Sequence, residues 1–273
     1  MTWRRQVNLR LARRTGMQVR QRDGRLRLVR NPPRELSRPA FIFTSVRSGS
    51  TLLRLILNSH SEIHAPHELH LAHLTVEFKH AAARHAMAAL GLDRQDLTHL
   101  LWDRLLTETL RRSGKSVLVE KTPNLVHRWE QVARCWPDAR YIYLLRHPAA
   151  IVDSWQRARD RQSADEVMAT VTRYLTALCA ARRTLPGHTV RYEDLTADPS
   201  AETRKICDFL GVRWEPGMVE YGNTDHGELR FGLGDWTEKI RAGSVQPPRP
   251  LPSLEMSAEL RALAAELGYP PNV

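Results

Sequence analysis

Arg47-Ser48-Gly49-Ser50-Thr51 sets an arginine, three hydroxyls and a glycine between the apolar stretch Phe41-Ile42-Phe43 and Leu52-Leu53. That order reads as the end of a strand and the start of a helix. Free backbone N–H groups, small residues and an arginine fork then make a cradle for phosphate or phosphosulfate. A nucleotide triphosphatase would carry GxxxxGK(S/T) here, with lysine on the terminal phosphates and the hydroxyl on magnesium. This loop has no lysine, and no acidic cluster placed for magnesium follows it, so the cation must be Arg47. Ser/Gly turns before helices also occur as plain structure. The loop therefore gains meaning only from what accompanies it.

Five further groups accompany it. Tyr141-Ile142-Tyr143-Leu144-Leu145 ends at Arg146, and Ser154 follows eight residues on, within the next expected helix. An arginine fork and a hydroxyl aimed at one point bind a phosphate monoester. Val119-Glu120-Lys121-Thr122-Pro123 ends another strand with a lysine, and Ala65-Pro66-His67-Glu68-Leu69-His70 offers a carboxylate and histidines after the first helix. Val190-Arg191-Tyr192-Glu193-Asp194-Leu195 places a tyrosine at a third strand end, where it equally fits a core aromatic with a satisfied hydroxyl. Near the C-terminus, Trp236-Thr237-Glu238-Lys239-Ile240-Arg241-Ala242-Gly243 is a basic stretch closed by glycine, and either cation there equally fits a solvated side chain.

In this order the motifs resemble those of the sulfotransferases that use 3′-phosphoadenosine 5′-phosphosulfate (PAPS), whose phosphosulfate loop has the form (S/T)xRSG(S/T)TLL. The resemblance implies that Arg47, Ser48, Gly49, Ser50, Thr51 and Leu52 hold the 5′-phosphosulfate and that Arg146 and Ser154 hold the 3′-phosphate. It further implies that Tyr192 lies near the nucleotide, and that Lys239, Arg241 and Gly243 belong to a segment covering the 3′-phosphate. Lys121 stands where the resembling enzymes keep a lysine on the bridging oxygen. Glu68 stands at the interval at which protein-tyrosine sulfotransferases keep a catalytic glutamate. The same segment resembles the Pro-Glu-Leu-His stretch of sulfotransferase domains acting on carrier-bound polyketide chains. Here His67 replaces a proline or small residue, so a histidine base stays open beside Glu68. PAPS is then the donor co-substrate, no metal is required, and the acceptor is a hydroxyl on a small molecule or a carrier-bound natural-product intermediate.

The elements that would position these groups alternate. Strands are expected at residues 40–44, 116–119, 141–145 and 189–192. Helices are expected after the loop at 52–57, then at 70–90, 96–110, from Pro123, at 148–157, 163–184, 199–210 and 254–267. Such alternation, with polar residues at the strand ends, predicts an α/β fold with a central parallel sheet flanked by helices, and ligands at the carboxyl ends of the strands. The resemblance makes this the P-loop NTPase-like sulfotransferase fold. Ahead of it, residues 17–21 and 25–29 alternate around Arg22-Asp23-Gly24 and read as a β-hairpin. Asn31-Pro32-Pro33 then breaks the pattern, which divides the chain into a basic arm, 1–38, and a catalytic domain, 39–273. The segment 62–112 is expected to line the acceptor pocket.

Charge is distributed unevenly. Of 41 basic and 30 acidic residues, twelve arginines and two acids fall within positions 1–39, leaving 29 against 28 beyond. The body is thus almost neutral, which disfavours a nucleic-acid-binding protein while leaving the arm as a solvated extension or a dock for an acidic carrier protein. A nucleotide-dependent phosphotransferase on the related P-loop scaffold is the enzymatic alternative. No apolar run is long enough to cross a bilayer and no apolar signal segment follows the N-terminal arginines, so the cytoplasm is the expected location. Cys135, Cys179 and Cys207 are widely spaced and expected as buried thiols. His60, His64, His67, His70 and His73 are dense, but no cysteine joins them to make a zinc site. His226 is a further candidate on the acceptor side. Oligomeric state and acceptor identity leave no mark in the sequence.

Overall fold

The computed structural model describes residues 8, 11, 15, 17–22, 25–30, 33–158, 162–227 and 238–269. The expected hairpin forms from β1 (Met17–Arg22) and β2 (Arg25–Arg30), paired from Met17↔Arg30 to Arg22↔Arg25. Its Asp23-Gly24 turn lies outside the described residues, as does Trp236-Thr237.

Five parallel strands form the central sheet in the order β4 (Ile63–His64), β5 (Val117–Glu120), β3 (Ala40–Thr44), β6 (Arg140–Leu145), β7 (His188–Arg191). The first strand of the domain is therefore central. The chain builds one side through β4 and β5, then crosses to β6 and β7, so the strand order reverses at β3. A crevice opens beyond the carboxyl ends of strands at such a point.

Alternation along β3 supplies both faces of the sheet. Phe41 and Phe43 join Tyr141, Tyr143 and Trp136 in one core, packed with centroid distances of 5.3 Å for Phe41–Trp136 and 5.2 Å for Phe43–Tyr141. Ala40 and Ile42 join Ile142, Leu144 and Val190 in the other. The first core is covered by α3 (Arg94–Ser113), α4 (Trp129–Cys135), α5 (Pro148–Ala158), α6 (Ala164–Thr184) and α10 (Ala258–Glu266). The second is covered by α1 (Ser50–Asn58), α7 (Tyr192–Ala197) and α8 (Pro199–Leu210). Capping boxes at Asp93/Asp96 and Ser163/Glu166 start α3 and α6, and Asp198 caps α8. All three cysteines are buried free thiols.

The helix expected over 70–90 does not form as one piece. A 3₁₀ turn at Leu71–His73 and α2 (Ala81–Ala89) flank an extended stretch. Helix α3 takes that stretch's backbone groups: Trp102 Nε1 donates to the Leu74 carbonyl (2.8 Å), and the Val76 N–H donates to Thr98 Oγ1 (3.1 Å). Pro123 opens a 3₁₀ turn, Pro123–Arg128, before α4 begins. Tyr192, expected on a strand, is instead the first residue of α7.

Candidate active site

The loop after β3 turns on two left-handed residues, Arg47 (φ 59°) and Gly49 (φ 84°). A non-glycine residue held there is strained, and such strain concentrates at ligand sites. Gly49 is also the N-cap of α1 and provides no side-chain cap for the first-turn N–H groups of that helix. Ser45 Oγ and Ser48 Oγ are buried without a hydrogen-bond partner among the described residues. Buried hydroxyls and helix-start N–H groups left this way fit an anion.

Strand register brings the second group of residues alongside. Leu145 pairs with Arg191, so Arg146 and Tyr192 leave adjacent strands side by side. The Arg146 guanidinium lies 4.4 Å from the centroid of the Tyr192 ring, and its Nη1 donates to the Arg47 carbonyl at 2.7 Å. Arg47 Nε in turn donates to Ser154 Oγ (3.4 Å) from the α5 side. Glu193 holds this arrangement together: one carboxylate oxygen accepts the His147 N–H (3.0 Å) and the other accepts the Tyr269 hydroxyl (2.9 Å). Arg47 and Ser154 therefore meet although 107 residues separate them, and Arg146 joins them through the Arg47 carbonyl.

Around them opens a cleft of about 540 Å³ lined by Arg47, Gly49, Leu52, Arg146, Ser154 and Tyr192, and closed on the far side by Tyr221, Lys239, Gln246 and Arg249. Arg157, one helical turn beyond Ser154, completes the wall. Five cationic side chains and no carboxylate line it among the described residues, which is a surface for a polyanion. Burial, and then the charges of Arg249, Arg146 and Arg157, lower the Lys239 pKa. Burial likewise lowers that of Arg146. Lys239 thus reaches the cleft, whereas Arg241 is exposed outside its lining. Gly243 also lies outside it, packed on Gly222 whose N–H bonds its carbonyl (2.8 Å). Arg157, Arg249 and Tyr221 were not singled out from sequence. Arg157 carried a signal, three residues from Ser154 on one helix face; Arg249 sits in a proline-rich stretch with no periodicity.

At the other end of the cradle, Lys121 is fully buried, and its Nζ lies 2.5 Å from Glu68 Oε1 and 3.4 Å from Thr51 Oγ1. Thr51 thus joins the anion loop to the Lys121–Glu68 pair. Burial drives the Lys121 pKa down while Glu68 acts in the opposite sense. His70 Nε2 stands 3.9 Å from Glu68 Oε2. His67 turns away: its Nδ1 donates to the Glu68 carbonyl (3.1 Å) and the residue lines a separate cleft with Arg54, His64 and His226. His226 is held by Asn58, which donates to its Nδ1 (3.1 Å), and itself donates to the Tyr221 carbonyl (2.7 Å). Among the described residues no three of His, Cys, Asp and Glu converge to hold a metal ion, and no helix is long and apolar enough to cross a membrane.

A groove of about 1060 Å³ runs along α6 beyond the turn that follows Lys121. His127, Trp155, Met168, Tyr174 and Ala177 give it an apolar wall, with the His127 and Tyr174 rings 4.4 Å apart. Burial, and then the charge of Glu68, raise the Tyr174 pKa. The segment 62–112, expected to line an acceptor pocket, supplies none of this wall and instead lines the cleft beside His226 through His64, His67, Thr109 and Arg112.

A family model described as the sulfotransferase family matches residues 39–216. Nodulation protein NoeE of Sinorhizobium fredii is 26% identical over 223 residues, covering 69% of this chain and 53% of the relative. Protein-tyrosine sulfotransferase 1 of Danio rerio is 25% identical over 198 residues, covering 66% and 55%. The chain spans about half the length of these curated relatives. Among solved structures, the sulfotransferase domain from the curacin biosynthetic pathway superposes with a TM-score of 0.62 at 23% identity, covering 86% of this chain and 98% of that one. The sulfotransferase domain of the Synechococcus PCC 7002 olefin synthase gives 0.64 at 22% identity, covering 88% and 99%. These two share the fold.

Proposed function

This chain belongs to the sulfotransferase family, and from that premise we propose that it moves a sulfonate group from PAPS to an acceptor hydroxyl. The observation that carries the donor assignment is the cleft with five cations and no carboxylate among the described residues, beginning at a helix start without a side-chain cap and containing the Arg146–Tyr192 stack. A cofactor with phosphate groups at both ends fits that charge. A triphosphate-using phosphotransferase lacks support, because the loop after β3 has no lysine to meet terminal phosphates.

In this reading the 5′-phosphosulfate lies against residues 47–52 and the 3′-phosphate against Arg146 and Ser154. Glu68 takes the acceptor proton as the acceptor oxygen bonds to sulfur, and the bond from sulfur to the bridging oxygen breaks. Lys121 offsets the charge growing on that oxygen, and adenosine 3′,5′-bisphosphate leaves. The two groups already share one buried contact, so each is held where the other's chemistry occurs. His67 is the second candidate base. Its hydrogen bond to the Glu68 backbone favours Glu68 for the role.

The acceptor, in the same proposal, is a hydroxyl on an apolar or aromatic small molecule, or on a carrier-bound chain, that lies in the α6 groove. NoeE and the curacin and olefin synthase domains are named for nodulation and natural-product systems, which is consistent with that class. The basic arm, 1–38, is proposed to dock an acidic carrier and the domain beyond it to work as one unit, in the cytoplasm. Transfer of labelled sulfonate from PAPS to a panel of hydroxylated acyl and aromatic acceptors tests the reading. Release of bisphosphate with product formation is expected, and its absence across the panel together with no binding of the bisphosphate contradicts it.

A further inference from the structure

Strand β5 ends in a carboxylate that the transfer chemistry does not use. Glu120 is 1% exposed, directly before Lys121, and Thr122 directly after it is equally buried. Glu120 Oε1 accepts the Thr122 hydroxyl proton at 2.5 Å, and Glu120 Oε2 has no partner among the described residues. Thr122 Oγ1 in turn accepts the backbone N–H of His70 at 3.3 Å. A threonine hydroxyl has one proton to give. With that proton directed at Glu120, a lone pair of Oγ1 remains for the N–H of His70. The chain of donors runs in one direction, from His70 through Thr122 to Glu120.

His70 is where direction matters. It is one of two non-glycine residues in the left-handed region among those described (φ 51°, ψ 37°), and it opens the 3₁₀ turn whose first residue, Leu71, is completely buried. Glu68 lies two residues before this corner. Residues 120–122 therefore grip the 68–70 loop twice, through the Lys121 side chain on the Glu68 carboxylate and through the Thr122 hydroxyl on the His70 backbone.

We propose that Glu120 and Thr122 are positioning residues that lock the 68–70 corner, so that the Glu68 carboxylate stays at Lys121 and at the Thr51 end of the anion loop. This rests on Glu68 acting as the base. The groups that act on Glu120 are the Thr122 hydroxyl and the charges of Lys121 and Glu68, with Arg54 acting on the latter two. Burial pushes the Glu120 carboxyl up to about 7, and a protonated carboxyl keeps a carbonyl oxygen for Thr122, so the hydroxyl's direction survives the change of charge.

Steady-state kinetics on Thr122→Val, Thr122→Ser and Glu68→Gln test the idea. Thr122→Val keeps shape but loses the hydroxyl; kcat should fall about 10- to 100-fold with the KM for PAPS changed less than about threefold, and Thr122→Ser should restore most of it. A hydroxyl serving only stability would lower the melting temperature of Thr122→Val and leave kcat per folded molecule unchanged. Should Thr122→Val not fold, Thr122→Ala serves with the same expectation. Wild-type kcat in the hydroxyl-less variant beside an inactive Glu68→Gln overturns the positioning role alone. Full turnover in Glu68→Gln overturns the assigned base and the positioning role with it.

Discussion

Tyr192 closes on Gly49 so tightly that a β-carbon at position 49 would lie 2.3 Å from Tyr192 Cδ2. The same tyrosine carries the Arg146 guanidinium on its ring, so one aromatic joins the two ends of the proposed donor site. A stacked, partly desolvated guanidinium of this kind contributes about 1–2 kcal/mol. The loop at β3 and the arginine at β6 are thereby set against each other before any ligand arrives.

Gly49→Ala should accordingly fail on two counts. Alanine at φ 84° costs about 1–2 kcal/mol, and overpacking against Tyr192 adds about 1–3 kcal/mol. Urea unfolding should register that loss, and bisphosphate affinity should drop at least about tenfold. Adding Tyr192→Ala should recover only the steric part of the stability, since the backbone angle remains.

Glu120 makes stability depend on pH with a definite sign. Its folded pKa is raised from 4.5 to about 7, chiefly by burial, so the folded protein binds the extra proton in that interval. Its contribution is therefore present below about pH 4.5 and lost as pH rises through about 7, a change of about 3 kcal/mol. Glu120→Gln does not titrate. Relative to wild type it should gain stability progressively between about pH 4.5 and 7 and then plateau, as read by denaturant titrations across that range. A pH-independent difference would remove the burial argument.

The α6 groove predicts a selective effect on the acceptor. Ala177 lines this groove and not the cationic cleft, so Ala177→Phe would fill part of the apolar wall. Acceptor KM should rise about tenfold or more while PAPS KM stays within about twofold. Equal changes in both would place the acceptor elsewhere.

Much of this site was legible because it depends on strand ends. Apolar runs such as Phe41-Ile42-Phe43 and Tyr141-Ile142-Tyr143 identify buried parallel strands, and in a parallel sheet the next residues must emerge on one edge. Arg47, Lys121 and Arg146 follow such runs and do gather there. Residues 74–79 were misread because their Ala- and Leu-rich flanks suggest one helix, whereas Trp102 and Thr98 compete for their backbone through contacts 22 to 28 residues away. Local pattern has no access to such partners. Arg249 and the α6 wall escaped for the same reason: a solvated arginine and a cleft arginine look alike in sequence, as do a core-facing and a groove-facing alanine. Lys239 and Arg241 were read together from the resemblance of their segment, and the structure separates them: Lys239 lines the cleft and Arg241, on the same short α9 (Glu238–Arg241), lies outside its lining.

The arm's proposed role requires a cut that spares the domain. Arg34 Nε donates to the Cys135 carbonyl (2.9 Å) and the Glu35 N–H donates to Asp103 Oδ2 (2.7 Å), so residues just before position 39 are tied to α3 and α4. Deleting residues 1–32 keeps both contacts and removes ten of the arm's twelve arginines. Use of a carrier-bound acceptor should weaken at least about tenfold, more at low salt than at high, while a free analogue is used as before. Equal loss for both acceptors would exclude docking through the arm.

Calorimetry with adenosine 3′,5′-bisphosphate, AMP and ATP tests the donor assignment most directly. The bisphosphate should bind about 100-fold more tightly than AMP, and Arg146→Ala should erase most of that preference, a loss of about 2–3 kcal/mol expected when a charged phosphate contact is truncated. Equal affinity for bisphosphate and AMP, or a preference for ATP that Arg146→Ala leaves intact, would contradict a donor site built for a 3′-phosphate.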